Sequence, residues 1–207
     1  MHHHLRRAAI GASLALAGLV AVSCTDSPTA PRTGAIRVLL KDAPGDVRKA
    51  VVTIEQIYLQ PDSGSEGGRV ILRSTPITID LLTLADTSMR LLDSAVVTAG
   101  KYHQMRFVIS AGYLEVVAPD TTQRLFYSSS PTYAALPLGV TAGVLQMPSY
   151  SSSGLKIKLP GDAVQIDANG LVTLLVDFNV AQSFGKAVGG ADRWVMSPVV
   201  QATLQAP

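Results

Sequence analysis

From Gly34 onward, apolar and polar side chains alternate with a period of two, the spacing that sends successive residues to opposite faces of a β-strand. Ile36, Val38 and Leu40 alternate with Arg37 and Lys41 around Leu39. The run stops at Asp42-Ala43-Pro44-Gly45-Asp46, where proline fixes one φ and glycine frees another. The next run, residues 51–60, sets Val52 and Ile54 on one face, then changes phase to Ile57 and Leu59 across Glu55-Gln56. A one-residue phase change predicts a β-bulge. After a polar loop over 61–68, Val70 and Leu72 and then Ile77-Thr78-Ile79 predict two short strands. Residues 102–109 read as the clearest half-buried strand, with His103, Met105, Phe107 and Ile109 on one face and Gln104 and Arg106 on the other.

The second half keeps the same habit. Residues 114–117 and 123–127 flank Pro119-Asp120 and predict a hairpin with a longer loop. Residues 128–153 are loop-like in Ser, Pro and Gly, although 136–145 are apolar enough to pack down. Leu155, Ile157 and Leu159 alternate with Lys156 and Lys158, and residues 164–166 lead into the turn Asp167-Ala168-Asn169-Gly170. Val172, Leu174, Val176, Phe178 and Val180 then form an inward row, and a closing segment over 194–204 is interrupted by Pro198. Only residues 80–93 leave room for a short helix. Strands at roughly 8–12-residue spacing, with turn chemistry between them and no sustained 3.6-residue period, predict an all-β sandwich.

Composition changes the picture at the N-terminus. The chain has 207 residues, 47% hydrophobic and 15% charged, enough for one domain with a full core and too apolar for intrinsic disorder. Its formal charge of +2 is concentrated at the start. Residues 1–7 carry Arg6, Arg7 and three of the four histidines, and an uncharged apolar run over 8–22 follows, which reads as a secretory signal over 1–23. Without the leader, fifteen basic residues face fifteen acidic ones. Nucleic-acid binding by counterion release needs a basic patch, and a neutral chain argues against that partner. No apolar run of membrane-spanning length occurs after the leader.

The leader ends Ala21-Val22-Ser23-Cys24 and resembles a bacterial lipobox, with alanine where leucine is usual. An ordinary signal peptidase would accept Ala21 and Ser23 and cut the same bond. Lipidation is the stronger expectation because the chain's single cysteine stands at that position. Residues 24–33 then have the composition of a Pro- and Ser/Thr-rich tether, and 34–207 form the domain. By resemblance to enteric sorting rules, Thr25 in place of Asp directs an envelope lipoprotein to the outer rather than the inner membrane.

An ordered set of motifs runs through the domain: Gly34 to Asp42-Ala43-Pro44, Val51-Val52-Thr53-Ile54, Asp80-Leu81-Leu82-Thr83-Leu84, Ala99-Gly100-Lys101-Tyr102-His103-Gln104-Met105-Arg106, Met147-Pro148-Ser149, Leu175-Val176-Asp177-Phe178-Asn179 and Ser197-Pro198-Val199-Val200. The set resembles the secreted prokaryotic lipoprotein family called domain of unknown function 4382, over about residues 34–203. Asn179 departs from the Asp frequent there. The resemblance implies an immunoglobulin- or transthyretin-like antiparallel β-sandwich in the cell envelope, and no activity.

The candidate chemistry is sparse. Asp42, Asp46 and Asp177, with Asn179, could supply oxygen ligands to Ca²⁺, but no EF-hand spacing supports this, and Asp42 reads first as the acceptor of an Asx turn. His103 is the one histidine after the leader. It would need a nucleophile and an orienting acid to make a hydrolase, and no Gly-x-Ser-x-Gly elbow is present. Three glutamates, none in a recognisable motif, do not suggest a glycosidase pair. Tyr113, Tyr127, Tyr133, Tyr150 and Trp194 are the aromatics that could stack on a sugar, the alternative being core and rim packing. A free sheet edge could accept a partner strand. The expectation is a non-catalytic, lipid-anchored envelope module without cofactor that binds a partner protein or glycan. Its alternatives are a hydrolase using His103 and a purely structural scaffold.

Cys24 should therefore act as an anchor that contributes nothing to the fold. One acyl chain binds a membrane only marginally at about 0.8 kcal/mol per buried CH₂, so stable retention needs the two or three chains that lipobox processing supplies. Mass spectrometry of the mature N-terminus should find a multiply acylated cysteine. Cys24→Ser should remove detergent dependence, or leave an uncleaved leader, with the domain still folded. An unmodified thiol on a freely soluble chain would exclude lipidation.

Overall fold

Residues predicted to alternate do form strands, and the buried half of each alternation faces one interior. The computed structural model describes residues 30–43, 47–61, 68–117, 121–128, 140–148, 150–185 and 193–206. The expected leader, Cys24, most of the expected tether, Asp46 and Tyr133 lie outside the described residues. In chain order the strands are β1 (Thr33–Ala43), β2 (Lys49–Pro61), β3 (Val70–Arg73), β4 (Ile77–Asp80), β5 (Met89–Thr98), β6 (Gly100–Val117), β7 (Gln123–Tyr127), β8 (Val140–Gln146), β9 (Leu155–Lys158), β10 (Val164–Ile166), β11 (Leu171–Asn179), β12 (Phe184–Gly185), β13 (Arg193–Met196) and β14 (Val199–Gln205). A single helical turn, α1 (Val180–Ser183), follows β11.

Two sheets pack face to face. One has four strands in the order β14-β11-β1-β5; the other runs β12-β13-β8-β7-β6-β2-β3, with β9 and β10 also paired to β6 and β4 to β2. The fold is an all-β sandwich, as the alternation predicted, but its sheets are mixed rather than antiparallel. β1 pairs with β11 in parallel, and β8 lies parallel to both β7 and β13. Alternation reports which face of a strand is buried. It carries no information about the direction of a neighbour more than a hundred residues away.

The core is one cluster. Ile36, Val38 and Leu40 of β1 lie beside Val172, Leu174 and Val176 of β11, and all but the half-buried Val172 are fully buried. They face Val52, Ile54, Ile57 and Leu59 of β2 and Met105, Phe107 and Ile109 of β6. The predicted bulge is present: the β2–β6 register shifts between Ile54 and Gln56. A second shift, between Thr53 and Ile54, places an extra residue on β6, and Ser110 there donates a 3.3 Å hydrogen bond to Glu55.

Four local expectations change. The buried row of β6 shifts parity at its start, because Tyr102 is buried together with Met105, so His103 sits at a phase change and not within the row. The phase changes where β6 exchanges its neighbour β9 for β10, with Gln104 opposite Lys158 and Tyr102 opposite Val164. Residues 80–93 do hold a short 3-10 helix at Leu81–Leu84, capped by the Asp80 carboxylate, but α1 adds a helical turn outside them and takes Val180 out of the strand row. The loop expected over 128–153 contains β8, with Leu145 buried. The closing segment is two strands in two different sheets, β13 and β14, divided at Pro198, which has no N–H to offer a ladder.

Residues 31–207 form one compact unit, and every core residue lies within it. Phe178 is 1% exposed in the middle of that core. Phe178→Ala should cost about 3–5 kcal/mol through lost burial and the cavity left behind. Urea denaturation should show a lower midpoint at unchanged slope. A loss below about 1 kcal/mol would show that the ring is not part of the core.

Candidate functional site

The aromatic residues separate by face. β7 turns Phe126 inward, where its ring meets Trp194 at 5.7 Å between centroids, and turns Tyr127 outward. Trp194, opposite Leu145 on β8, packs half-buried against the core. The half-buried Tyr150 also packs there, donating its hydroxyl to the Met196 carbonyl at 3.4 Å. Burial raises the Tyr150 pKa, so the phenol stays a neutral donor. Two of the sugar-stacking candidates are thus rim-of-core residues. Tyr127 instead stands directly across from Tyr113 on the outer face of the larger sheet. Burial, then the carboxylates of Asp80 and Glu115, push the Tyr113 phenol up.

Glu115 is the one charged residue besides Asp42 that is fully buried among the described residues. Arg48 Nε lies 3.2 Å and Lys49 Nζ 3.8 Å from its carboxylate, and the Arg48 amide donates to its carbonyl at 2.7 Å. Burial of a carboxylate requires such partners. The pattern of residues 48–49 and 115 gave no hint of this pair, which depends on the antiparallel register of β2 and β6.

Asp42 is buried, and its Oδ1 accepts a 3.1 Å hydrogen bond from the Val180 amide, 138 residues away. It joins the end of β1 to the start of α1. Asp177 points to the opposite face of the same sheet, where Lys41 reaches it at 2.7 Å. Two residues on opposite faces of one sheet cannot share a metal ion. Among the described residues, no three His, Cys, Asp or Glu side chains gather closely enough to hold one.

His103 Nδ1 lies 2.7 Å from the backbone carbonyl of Asp162. The Asp162 carboxylate is instead 3.0 Å from Lys158 Nζ. Through its contact with the Asp162 carbonyl the ring holds the turn between β9 and β10 against β6.

The outer face of the four-stranded sheet carries what the sequence reading missed. Cross-strand neighbours line up as Val96–Ala35–Leu171 and as Arg90–Leu39–Leu175–Thr203. Val96 is 72% exposed and Leu171 49%, although both lie in regular strands. Two adjoining depressions, of about 390 and 420 Å³, share Leu39 and Gln205. Arg37 and Arg90 border the first, and both reach Asp93, Arg37 through the backbone carbonyl at 2.9 Å and Arg90 through the carboxylate. Lys41 and Asp86 border the second. The alternation Arg37-Leu39-Lys41 contains this face, but Leu39 reads as a mere interruption until Leu175 is brought beside it from β11.

Among the described residues, no helix is long and apolar enough to cross a membrane. No curated protein and no solved structure matches the chain. A family model, described as Domain of unknown function (DUF4382), matches residues 33–198, from the first residue of β1 to the proline that divides β13 from β14. The match spans most of the chain, and the protein belongs to that family.

Proposed function

We propose that the chain is a non-catalytic, lipid-anchored module of the bacterial envelope that binds a partner protein through the outer face of its four-stranded sheet. The observation that supports a partner is the set of exposed and half-buried apolar residues on that face. Val96 and Leu171 stand out from ordered strands at one end of the face and the half-buried Leu39 and Leu175 lie further along it, with Arg37 opposite Thr173 between the two pairs and Arg90 opposite Leu39. A sandwich buries one face of each sheet, and the other is normally polar. Exposed apolar residues gathered on such a face mark an interaction surface, and here Arg37 adds a charge among them. The anchor in this reading is Cys24, with the Pro-rich tether as spacer.

A protein fits this surface better than a sugar. The face offers leucine, valine and two guanidinium groups, and stacking on sugars needs exposed aromatic rings. Tyr113 and Tyr127, on the other sheet, are the described pair that keeps a glycan reading open. The hydrolase alternative has little support, because His103 faces a backbone carbonyl.

Photo-crosslinking in native cells tests the reading. A photoreactive residue at Thr173, between Leu171 and Leu175, should give one discrete protein adduct, and the same residue at the exposed Lys156 of β9 should not. Adding Val96→Glu and Leu171→Glu should abolish the adduct without lowering the melting temperature. Equal labelling at both positions, or an adduct indifferent to the two glutamates, would refute the assignment. Loss of glycan-array binding in Tyr127→Ala would favour the sugar reading instead.

A further inference from the structure

The described edges of the two sheets differ in how they are protected. An edge strand exposes unpaired N–H and C=O groups, and proteins ordinarily blunt such edges with charge, brevity or bulges. β5 carries Arg90 and Asp93, and its register with β1 shifts twice. β3 has four residues, including Arg73, and β12 has two. β14 has none of these devices. Its seven residues, Val199-Val200-Gln201-Ala202-Thr203-Leu204-Gln205, carry no charge and no proline, and all seven pair with β11 without a register shift.

A second observation concerns Leu204. It lies opposite Leu174, which is fully buried, so it belongs to the inward face of the sheet. Leu204 is nevertheless 54% exposed: β9 and the turn at Pro160–Asp162 approach β14, but no described strand pairs with it on the side away from β11. An inward-facing leucine left open at a regular edge calls for an apolar neighbour on a strand not supplied by this chain's described residues.

We propose that this strand is β14 of a second copy, paired antiparallel about a two-fold axis at Ala202. The strand is self-complementary in that register. Ala202 is its midpoint, so all seven residues pair, Val199 with Gln205, Val200 with Leu204 and Gln201 with Thr203. Antiparallel pairing about this axis keeps inward residues inward, so each exposed Leu204 meets the Val200 of the other copy. On the outer face, Gln201 and Thr203 are both polar and both exposed. The two four-stranded sheets become one of eight strands, an isologous interface of the commonest symmetry. Such pairing covers less than the roughly 1,600 Å² of a standard interface, so the dimer is a reversible one. It uses the edge and not the outer face, and it stands or falls independently of partner binding there.

Sedimentation velocity on residues 31–207, from about 1 μM to about 1 mM, reads the equilibrium. The wild-type domain should pass from monomer to dimer over that range. In Gln201→Lys with Thr203→Lys, the register places like charges directly opposite at two symmetric positions, and dimerisation should weaken about tenfold or more. In Gln201→Lys with Thr203→Glu the same positions become oppositely charged, and the dimer should return to at least wild-type strength. Both positions are exposed, so unchanged circular dichroism and melting should accompany both variants. A domain that stays monomeric at about 1 mM would overturn the proposal. So would a dimer that weakens equally in both double variants, because the contact would then lie elsewhere or in another register.

Discussion

The parallel pairing of β1 with β11 is the constraint on which the sandwich depends. It brings the first strand of the domain beside one that begins more than 120 residues later, and it sets their inward rows in step, Ile36, Val38 and Leu40 against Val172, Leu174 and Val176. Both ends of the pair are closed by polar contacts. At the start, the Ala35 amide donates to the Gly170 carbonyl and the Asn169 amide to the Thr33 carbonyl, each at 2.8 Å. Asn169 takes the left-handed φ of +61° that this turn needs and that asparagine tolerates better than most residues. A Cβ on Gly34 would collide with the Asp167 carbonyl and with Ile166, so only glycine lets β1 approach the turn this closely. At the other end, buried Asp42 accepts the Val180 amide.

The opposite sheet is organised by the length of β6. Its 18 residues serve β2 along one side and β7, β9 and β10 along the other. No single alternation can face one core over such a length in a twisted sheet, so the strand changes phase by bulges. The bulges carry specific side chains. Ser110 and Glu55 meet where the two strands slip past each other, and His103 braces the turn where β10 replaces β9. His103, which stands out in sequence as potential chemistry, thus sits at a joint between strands.

The end of the chain decides which surfaces stay open. Asn179 caps α1 through the Gln182 amide at 2.9 Å, a role that Asp would fill equally well. Fully buried Ser183 accepts the Val199 amide at 2.9 Å through its hydroxyl and the Ser197 amide at 2.7 Å through its carbonyl. These bonds hold the crossing from β13 to β14, and with it the position of β14 at the sheet edge. The apolar residues of the outer face and the uncharged edge therefore lie on one sheet, the former on its surface and the latter along its margin.

The sequence by itself determined the class of fold and most of the buried residues. A half-buried strand must alternate, and the alternation survives whatever neighbours it. The rows of β1, β2 and β11, the Glu55-Gln56 bulge, the β6–β7 hairpin and the turn at residues 167–170 were all legible for that reason. Strand direction, sheet membership and partnership were decided by tertiary structure, because they depend on residues far apart in the chain. Thus β1 and β11 proved parallel, and one closing segment became two strands in two sheets. The same limit applies to the site. Trp194 and Tyr127 look alike as exposed aromatic candidates until β7 and β13 assign them to opposite faces. Asp42 and Asp177 look like possible co-ligands until the sheet divides them. Leu39, Leu171 and Val96 signal nothing until pairing gathers them on one face, since a surface is made of residues that are neighbours only in space.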